Sequence, residues 1–204
     1  MTKQAYTTQK IFFALGTVCT LTAFGGDSLG ALAHAKERIM EIHRKSDPAG
    51  ADNLITRGYA AEEARRILVR ENVGEALIVI GETAVNIGSP RRIGLQNPFG
   101  TAGENFAYVD IADKAIVSAG LYQQGFEQKS RADRFGGKAL AGLTLIGENA
   151  VKLSALCNTA AHLDVDSAKA LLNDTEVEAI FVTRSQDVAA TDGLCKRPTR
   201  RHAA

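Results

Sequence analysis

The chain has 204 residues, of which 45% are hydrophobic and 23% are charged, and its formal net charge is +1. This length predicts one domain that buries about 70% of the surface its unfolded chain would expose. A charge this close to zero argues against a general affinity for nucleic acid or for an anionic membrane, because no large field is available to attract either. The composition is that of a soluble globular protein.

The cysteines and the N-terminal apolar run bear on where the protein resides. Cys19, Cys157 and Cys195 have unrelated spacings, which predict neither a disulfide framework nor a zinc site. Residues 11–24 are apolar but contain Gly16 and three threonines, so we interpret them as a first strand rather than a secretory signal. The run is also too short to span a bilayer. Both observations favour a cytoplasmic protein.

Two amphipathic helices are predicted in the first third of the chain. The first covers 29–45 and has Leu32, Ala35, Ile39 and Ile42 along one face. The second covers 60–72, where apolar residues again recur at helical spacing. Its charged residues are placed on the solvent face, and they are Glu62, Glu63, Arg65, Arg66 and Arg70.

The middle of the chain predicts strands separated by turns. The aliphatic run 77–80 is typical of a strand buried on both faces, and residues 81–90 after it predict a loop. Strands are expected over 91–96 and 106–111. A strand over 115–117 is expected to complete a hairpin with the second of these.

Five elements are predicted in the C-terminal third of the chain. Its expected elements are a buried strand over 143–146, a helix over 149–163, a helix over 166–172, and paired strands over 177–183 and 187–191. Together the pattern predicts an α+β fold in which helices pack on a largely antiparallel sheet. The domain is expected to span 1–194, and 195–204 is expected to be a disordered basic tail.

Four short motifs carry a resemblance to a known family. They are Arg-Gly-Tyr-Ala-Ala-Glu at 57–62, Ala-Leu-Ile-Val-Ile-Gly at 76–81, Ile-Gly-Leu-Gln-Asn-Pro at 93–98, and Ala-Ile-Val-Ser-Ala-Gly-Leu-Tyr at 115–122. In this order and at these spacings they resemble the ApbE family, whose members are flavin transferases that move FMN from FAD onto a Ser or Thr of a target protein, using Mg²⁺. The resemblance implies a T-fold-like core, FAD as substrate or ligand, and an acceptor flavoprotein as a partner.

The resemblance also implies which residues line the nucleotide site, although it assigns no catalytic residue. These positions are Arg57, Gly58, Tyr59, Glu62, Gly81, Thr83, Ser118, Gly120 and Tyr122. Tyr122 either stacks on the isoalloxazine ring or is a core aromatic residue, and both interpretations stay open. Glu82 stands where the family usually has a second glycine, and its carboxylate would repel a diphosphate unless it turned outward.

The magnesium site is where the chain departs from its family. The family's Asp and Thr ligands correspond to Ser154 and Asn158, and two neutral oxygens would bind a hard divalent cation poorly. The family's long insertion after the first helix is absent too, and so is the histidine that relatives carry in the neighbourhood of residues 127–137. Three hypotheses follow: a compact transferase with reduced or lost activity, a non-catalytic flavin-binding or interaction relative, and a structural subunit. Whether a homo-oligomer fills the gap left by the insertion stays open.

Overall fold

The computed structural model describes residues 6–46, 54–101, 103–120 and 140–195, which form ten strands and five helices. The strands are β1 (Thr7–Ala14), β2 (Thr17–Phe24), β3 (Ala76–Ile80), β4 (Thr83–Ile87), β5 (Arg91–Gln96), β6 (Asn105–Ile111), β7 (Ala115–Gly120), β8 (Leu140–Gly147), β9 (Glu178–Thr183) and β10 (Val188–Ala190). The helices are α1 (Leu29–Lys45), α2 (Leu54–Arg70), α3 (Ala150–Ala160), α4 (Val165–Leu172) and α5 (Asp192–Cys195). None of the helices in these ranges is long and apolar enough to cross a membrane.

One antiparallel sheet dominates the fold. Its eight strands lie in the order β1-β2-β3-β4-β7-β8-β9-β10, while β5 and β6 form a separate two-stranded ribbon. Every neighbouring pair is antiparallel. The predicted α+β class with a largely antiparallel sheet is therefore confirmed.

The two faces of this sheet carry separate cores. On the helix side, α1, α2, α3 and α4 pack on the sheet over the larger cluster, to which Val85, Val117 and Phe181 belong. On the ribbon side, β5 and β6 pack over a smaller cluster that includes Ile116 and Ile146. Because successive strand residues point to opposite faces, this division assigns each side chain of the sheet to one side.

The N-terminal run that we predicted as one strand is a hairpin. Leu15 and Gly16 both have positive φ, +54° and +69°, and they form a two-residue turn that joins β1 to β2. Such turns suit the right-handed twist of the paired strands and usually contain glycine or asparagine. The prediction was wrong because a leucine in this conformation gives no turn signal.

The prediction of a loop over 81–90 was also wrong. After a turn at Gly81 and Glu82, β4 runs back along β3 with Thr83 opposite Ile80. All five residues of β4 are buried, whereas β3 alternates between buried and half-buried residues. The expectation that β3 is buried on both faces was therefore wrong, because it is β4 whose residues are all buried.

Two further expectations need correction. The strands β6 and β7 do not form a hairpin, because β6 pairs with β5 in the ribbon and β7 pairs with β4 and β8 in the sheet. Helix α2 begins at Leu54, six residues before the predicted start, and it buries Glu63. Helix α1 has the predicted bounds and buries the predicted apolar face. Helix α5 reaches Cys195, and residues 196–204 lie outside the described residues.

Candidate functional site

Arg57 joins three elements at one end of the sheet. Its side chain is 1% exposed, its Nε donates to the carbonyl of Leu15 at 3.2 Å, and its Nη1 donates to Oε2 of Glu82 at 2.7 Å. Helix α2 is thereby tied to the β1–β2 turn and to the β3–β4 turn. We call this region the motif end, and its residues are Arg57, Gly58, Gly81, Glu82, Thr83, Ser118 and Ser154.

Gly81 is required by the crowding at this turn. Its φ is +57°, and a Cβ at this position would lie 3.1 Å from Oγ1 of Thr17 and 3.2 Å from Nη1 of Arg57. A side chain would therefore meet both a disfavoured backbone conformation and an occupied space. Thr17 belongs to the site through this contact, although it was not among the predicted residues. The Leu-Gly-Thr sequence at 15–17 was the available signal.

Glu82 is directed inward and does not take the outward orientation that the sequence analysis considered. Its carboxylate pairs with Arg57, and its side chain is 17% exposed. The negative charge that would have opposed a diphosphate is thus offset by a guanidinium within hydrogen-bond distance. The same pairing commits part of the charge of Arg57 to the protein itself.

Two buried thiols flank this ion pair. Burial, together with the negative charge of Glu82, raises the pKa of Cys157 to about 12. Burial also raises the pKa of Cys19 to about 11, although a hydrogen bond to the Ala14 carbonyl and the charge of Arg57 act in the opposite direction. Both cysteines are free and buried, and both are protonated at neutral pH.

Gly58 and Ser154 lie where α2 crosses α3. A Cβ on Gly58 would collide with Oγ of Ser154 and would lie 2.6 Å from the carbonyl of Ala150. Only glycine permits the two helices to approach this closely. The predicted nucleotide-binding glycine and the predicted metal position therefore contact each other.

Glu62 is positioned at the start of α3. Its Oε1 accepts a hydrogen bond from the backbone N–H of Ala150 at 2.7 Å, and Arg65 donates to the carbonyl of Glu148 at 2.8 Å. Asn149 caps the same helix by accepting from the N–H of Lys152. These contacts satisfy backbone groups that a helix start leaves unpaired, so Glu62 fixes the position of α3 relative to α2.

Tyr59 is directed away from the motif end and toward α1. Its side chain is exposed, and its hydroxyl accepts a hydrogen bond from Arg38 at 3.2 Å. It lines an open groove of about 430 Å³ between α1 and α2, together with Arg38, Ile42, Lys45, Ser46, Ile55 and Thr56. The structure therefore separates Tyr59 from its sequence neighbours Arg57 and Gly58.

Ser118 and Gly120 lie on the other face of the sheet. Val117 is the register partner of Thr83 and belongs to the helix-side core, so its neighbour Ser118 points to the ribbon side. Its Oγ lies 3.0 Å from Oγ1 of Thr144, and its backbone N–H donates to the carbonyl of Glu82. Gly120 is buried at the end of β7. Tyr122 lies outside the described residues.

Two buried hydroxyls at the motif end have no hydrogen-bond partner among the described residues. They are Oγ1 of Thr83 and Oγ of Ser154, and both residues are fully buried. An unsatisfied buried hydroxyl costs about 1–3 kcal/mol, so such groups are uncommon in folded proteins. The hydroxyl of Thr83 could donate to an oxygen of a bound molecule, whereas that of Ser154 is enclosed between α2 and α3.

The side chains at the predicted metal positions do not fit Mg²⁺. Ser154 is sealed against Gly58, whereas Asn158 is exposed one turn further along α3. Neither carries a charge, and Mg²⁺ requires anionic oxygen to offset its dehydration. Within the described ranges, no group of three or more His, Cys, Asp or Glu residues could hold a metal ion.

Comparisons with known proteins agree with the fold and with the motifs. The model of the ApbE family matches residues 52–181. A curated FAD:protein FMN transferase from Klebsiella pneumoniae (strain 342) is 28% identical over 144 residues, which cover 66% of this chain and 45% of the relative. The chain thus matches less than half the length of that relative.

Solved structures of the family share the architecture. The ApbE protein of Thermotoga maritima matches with a TM-score of 0.77 at 14% identity, over 94% of this chain and 98% of the other. The flavin transferase ApbE of Vibrio cholerae matches with a TM-score of 0.69 at 10% identity, over 91% and 96% of the two chains. At these identities the likeness concerns the fold alone. Because the family model covers more than half of the sequence, the chain belongs to the ApbE family.

Proposed function

We propose that this chain binds FAD at the motif end and that its transfer of FMN to protein hydroxyls is reduced or lost. The observation that carries the proposal is the convergence of three motif segments at one place. Arg57 of α2, the turn at Gly81 and Ser118 of β7 are joined there by direct hydrogen bonds to or from Glu82, or by close contact. The curated relative from Klebsiella pneumoniae acts on FAD by its name, which supports this ligand.

The polar groups of the motif end suit a flavin nucleotide. The charge of Glu82 is offset by Arg57, so the turn does not repel a diphosphate as strongly as the sequence suggested. The hydroxyl of Thr83 is buried and lacks a partner among the described residues, so an acceptor oxygen would satisfy it. On the ribbon side, Ser118 and Thr144 offer two further hydroxyls.

The donor set at the metal positions is the reason for expecting little transfer. The reaction that the family implies joins FMN to a Ser or Thr through a phosphoester and releases AMP, while Mg²⁺ offsets charge on the diphosphate. Ser154 and Asn158 supply no anionic oxygen for that ion. Without charge compensation, we expect bound FAD to stay intact.

A second candidate is the complete FAD:protein FMN transferase reaction on an acceptor flavoprotein. The name of the curated relative favours it. The free, buried state of Cys19 and Cys157 agrees with a reducing compartment for either candidate, and we propose the cytoplasm.

The test is a titration of the full chain with FAD, in which binding is measured by the quenching of flavin fluorescence. Thr83→Val removes the hydroxyl and retains the volume, and we expect it to weaken FAD binding about two- to tenfold. Thr20→Val, on the ribbon side of β2, is the matched control and should leave the dissociation constant unchanged. An unchanged constant in Thr83→Val would place the binding site elsewhere.

The two candidates are separated by AMP release with Mg²⁺ and an acceptor peptide. We expect none from the wild-type chain. The double variant Ser154→Asp, Asn158→Thr restores the family's ligands, and it should be checked for folding first, because Ser154 is fully buried. Magnesium-dependent AMP release by a folded double variant would assign the lost activity to these two positions.

A further inference from the structure

Strand β1 leaves an open edge on the sheet. It is the first strand in the sheet order, and in the described part of the chain its only neighbour is β2. Its eight residues contain no proline, and they pair with β2 without a register shift. Long, regular edge strands are the positions at which sheets pair with further strands.

The backbone register shows which groups of β1 point outward. The carbonyl of Tyr6 accepts a hydrogen bond from the N–H of Gly25 at 2.8 Å, so Tyr6 points toward β2. In an antiparallel pair this direction alternates along the strand. Even-numbered residues of β1 therefore bond to β2, and the outward N–H and C=O groups belong to Thr7, Gln9, Ile11 and Phe13.

The same region exposes apolar side chains on the ribbon side. Ile11 is 64% exposed, Phe13 is 65% exposed, and Val18, the register partner of Phe13 on β2, is 55% exposed. Phe12 points to the opposite face, where Lys36 of α1 lies 5.4 Å from its ring. The ribbon core lies over β7, β8 and β9, so it does not cover Ile11 or Phe13.

We propose that a second copy of this chain pairs with β1, antiparallel and about a two-fold axis through Ile11. An antiparallel edge can always pair with its own copy, and two-fold homodimers are the commonest oligomers. In this register Ile11 faces the partner's Ile11, and Gln9 faces the partner's Phe13. The outward backbone groups of both strands then bond to each other, and the two sheets become continuous.

Charge favours this register over the neighbouring one. Lys10 is the only charged residue of β1. In the proposed register it faces the partner's Phe12, an arrangement that a cation and an aromatic ring favour. An axis through Lys10 would instead bring two like charges into direct opposition, which is unfavourable in a sheet. The single charge therefore selects the pairing that the apolar side chains also favour.

The proposal is tested first on the wild-type chain, by sedimentation and by amide hydrogen exchange. We expect a dimer whose amides of Gln9, Ile11 and Phe13 are protected, with protection that falls on dilution. A chain that stays monomeric at high concentration, or a dimer in which these amides exchange as fast as those of open loops, would overturn it.

A matched pair of variants separates the edge from the exposed face. Ile11→Lys places two charges in opposition on the axis, and we expect the loss of the dimer. Val18→Lys adds the same charge to the same face but on β2, where no backbone group faces outward, and the dimer should persist. Circular dichroism checks that both variants fold. A dimer that survives Ile11→Lys, or one that is lost only in Val18→Lys, would contradict pairing through β1.

Discussion

The helix side and the ribbon side of the sheet differ in how the polar groups at and near the motif end are used. On the helix side, Arg57, Glu82 and Glu62 are largely buried, and each is bonded to another part of the same chain. On the ribbon side, Ser118 and Thr144 are neutral hydroxyls, and among the described residues their side chains bond to each other. The difference shows that the charged residues of the helix side mainly hold helices and turns in place. A shared motif therefore indicates a shared junction of the fold before it indicates a ligand contact.

The largest expected loss of stability comes from removing the side chain of Arg57. Arg57→Ala would leave Glu82 without its buried partner, and we expect a loss of about 3–5 kcal/mol in the free energy of unfolding, measured with urea. The control is Arg92→Ala on the ribbon, where the pair with Asp110 is more than half exposed, at 56% and 57%. Its loss should stay below about 1 kcal/mol. Equal losses would mean that the burial of Arg57 contributes nothing.

The close approach of α2 and α3 is tested by adding one methyl group at Gly58. Gly58→Ala would force α2 and α3 apart, and we expect a loss of about 1–3 kcal/mol. Adding Ser154→Ala should restore only part of it, because the Ala150 carbonyl stays 2.6 Å from the new Cβ. Gly30→Ala in α1 is the matched control. Nothing lies within 4 Å of its Cβ, so this change should stabilise the chain by up to about 1 kcal/mol.

The contact between Glu62 and the start of α3 is worth less. Glu62→Ala should lower the free energy of unfolding by about 0.5–2 kcal/mol, as the loss of a helix cap does. Asn149→Ala removes the second side chain that accepts a hydrogen bond at the start of α3, and it should lower the free energy of unfolding by a similar amount. If Glu62→Ala leaves stability unchanged but weakens FAD binding, then Glu62 faces the nucleotide, as the sequence first suggested.

The smallest effect concerns the thiols of Cys19 and Cys157. Burial raises their pKa values to about 11 and about 12, so a thiol reagent at pH 8 should label neither until urea is added. Unfolded thiols ionise near pH 9, below the folded values. Their contribution to stability is thus complete below pH 9 and is lost as the pH rises toward the folded pKa. Rapid labelling of Cys157 in the native chain would show that the helix side is open.

The sequence predicted the fold well where one signal acted alone. The bounds of α1 followed from its apolar periodicity, and the antiparallel sheet followed from short strands separated by turn residues. It failed where a local signal was missing: Leu15 adopts a turn conformation that leucine rarely takes, and Asn86 interrupts the apolar pattern of β4.

The sequence pointed to several residues that meet at the candidate site, but not to their geometry. The motifs identified Arg57, Gly81 and Ser118, yet which face each occupies depends on a strand register that only the folded chain sets. The inward turn of Glu82 depends on Arg57, 25 residues away in sequence, and no local pattern encodes that pairing.

The central claim is tested most directly by one titration, in which the purified chain is mixed with FAD in the presence and absence of Mg²⁺ while AMP is measured. The account predicts saturable binding of FAD with the same dissociation constant in both conditions and no release of AMP. Absence of binding, or binding and AMP release that both require Mg²⁺, would contradict it.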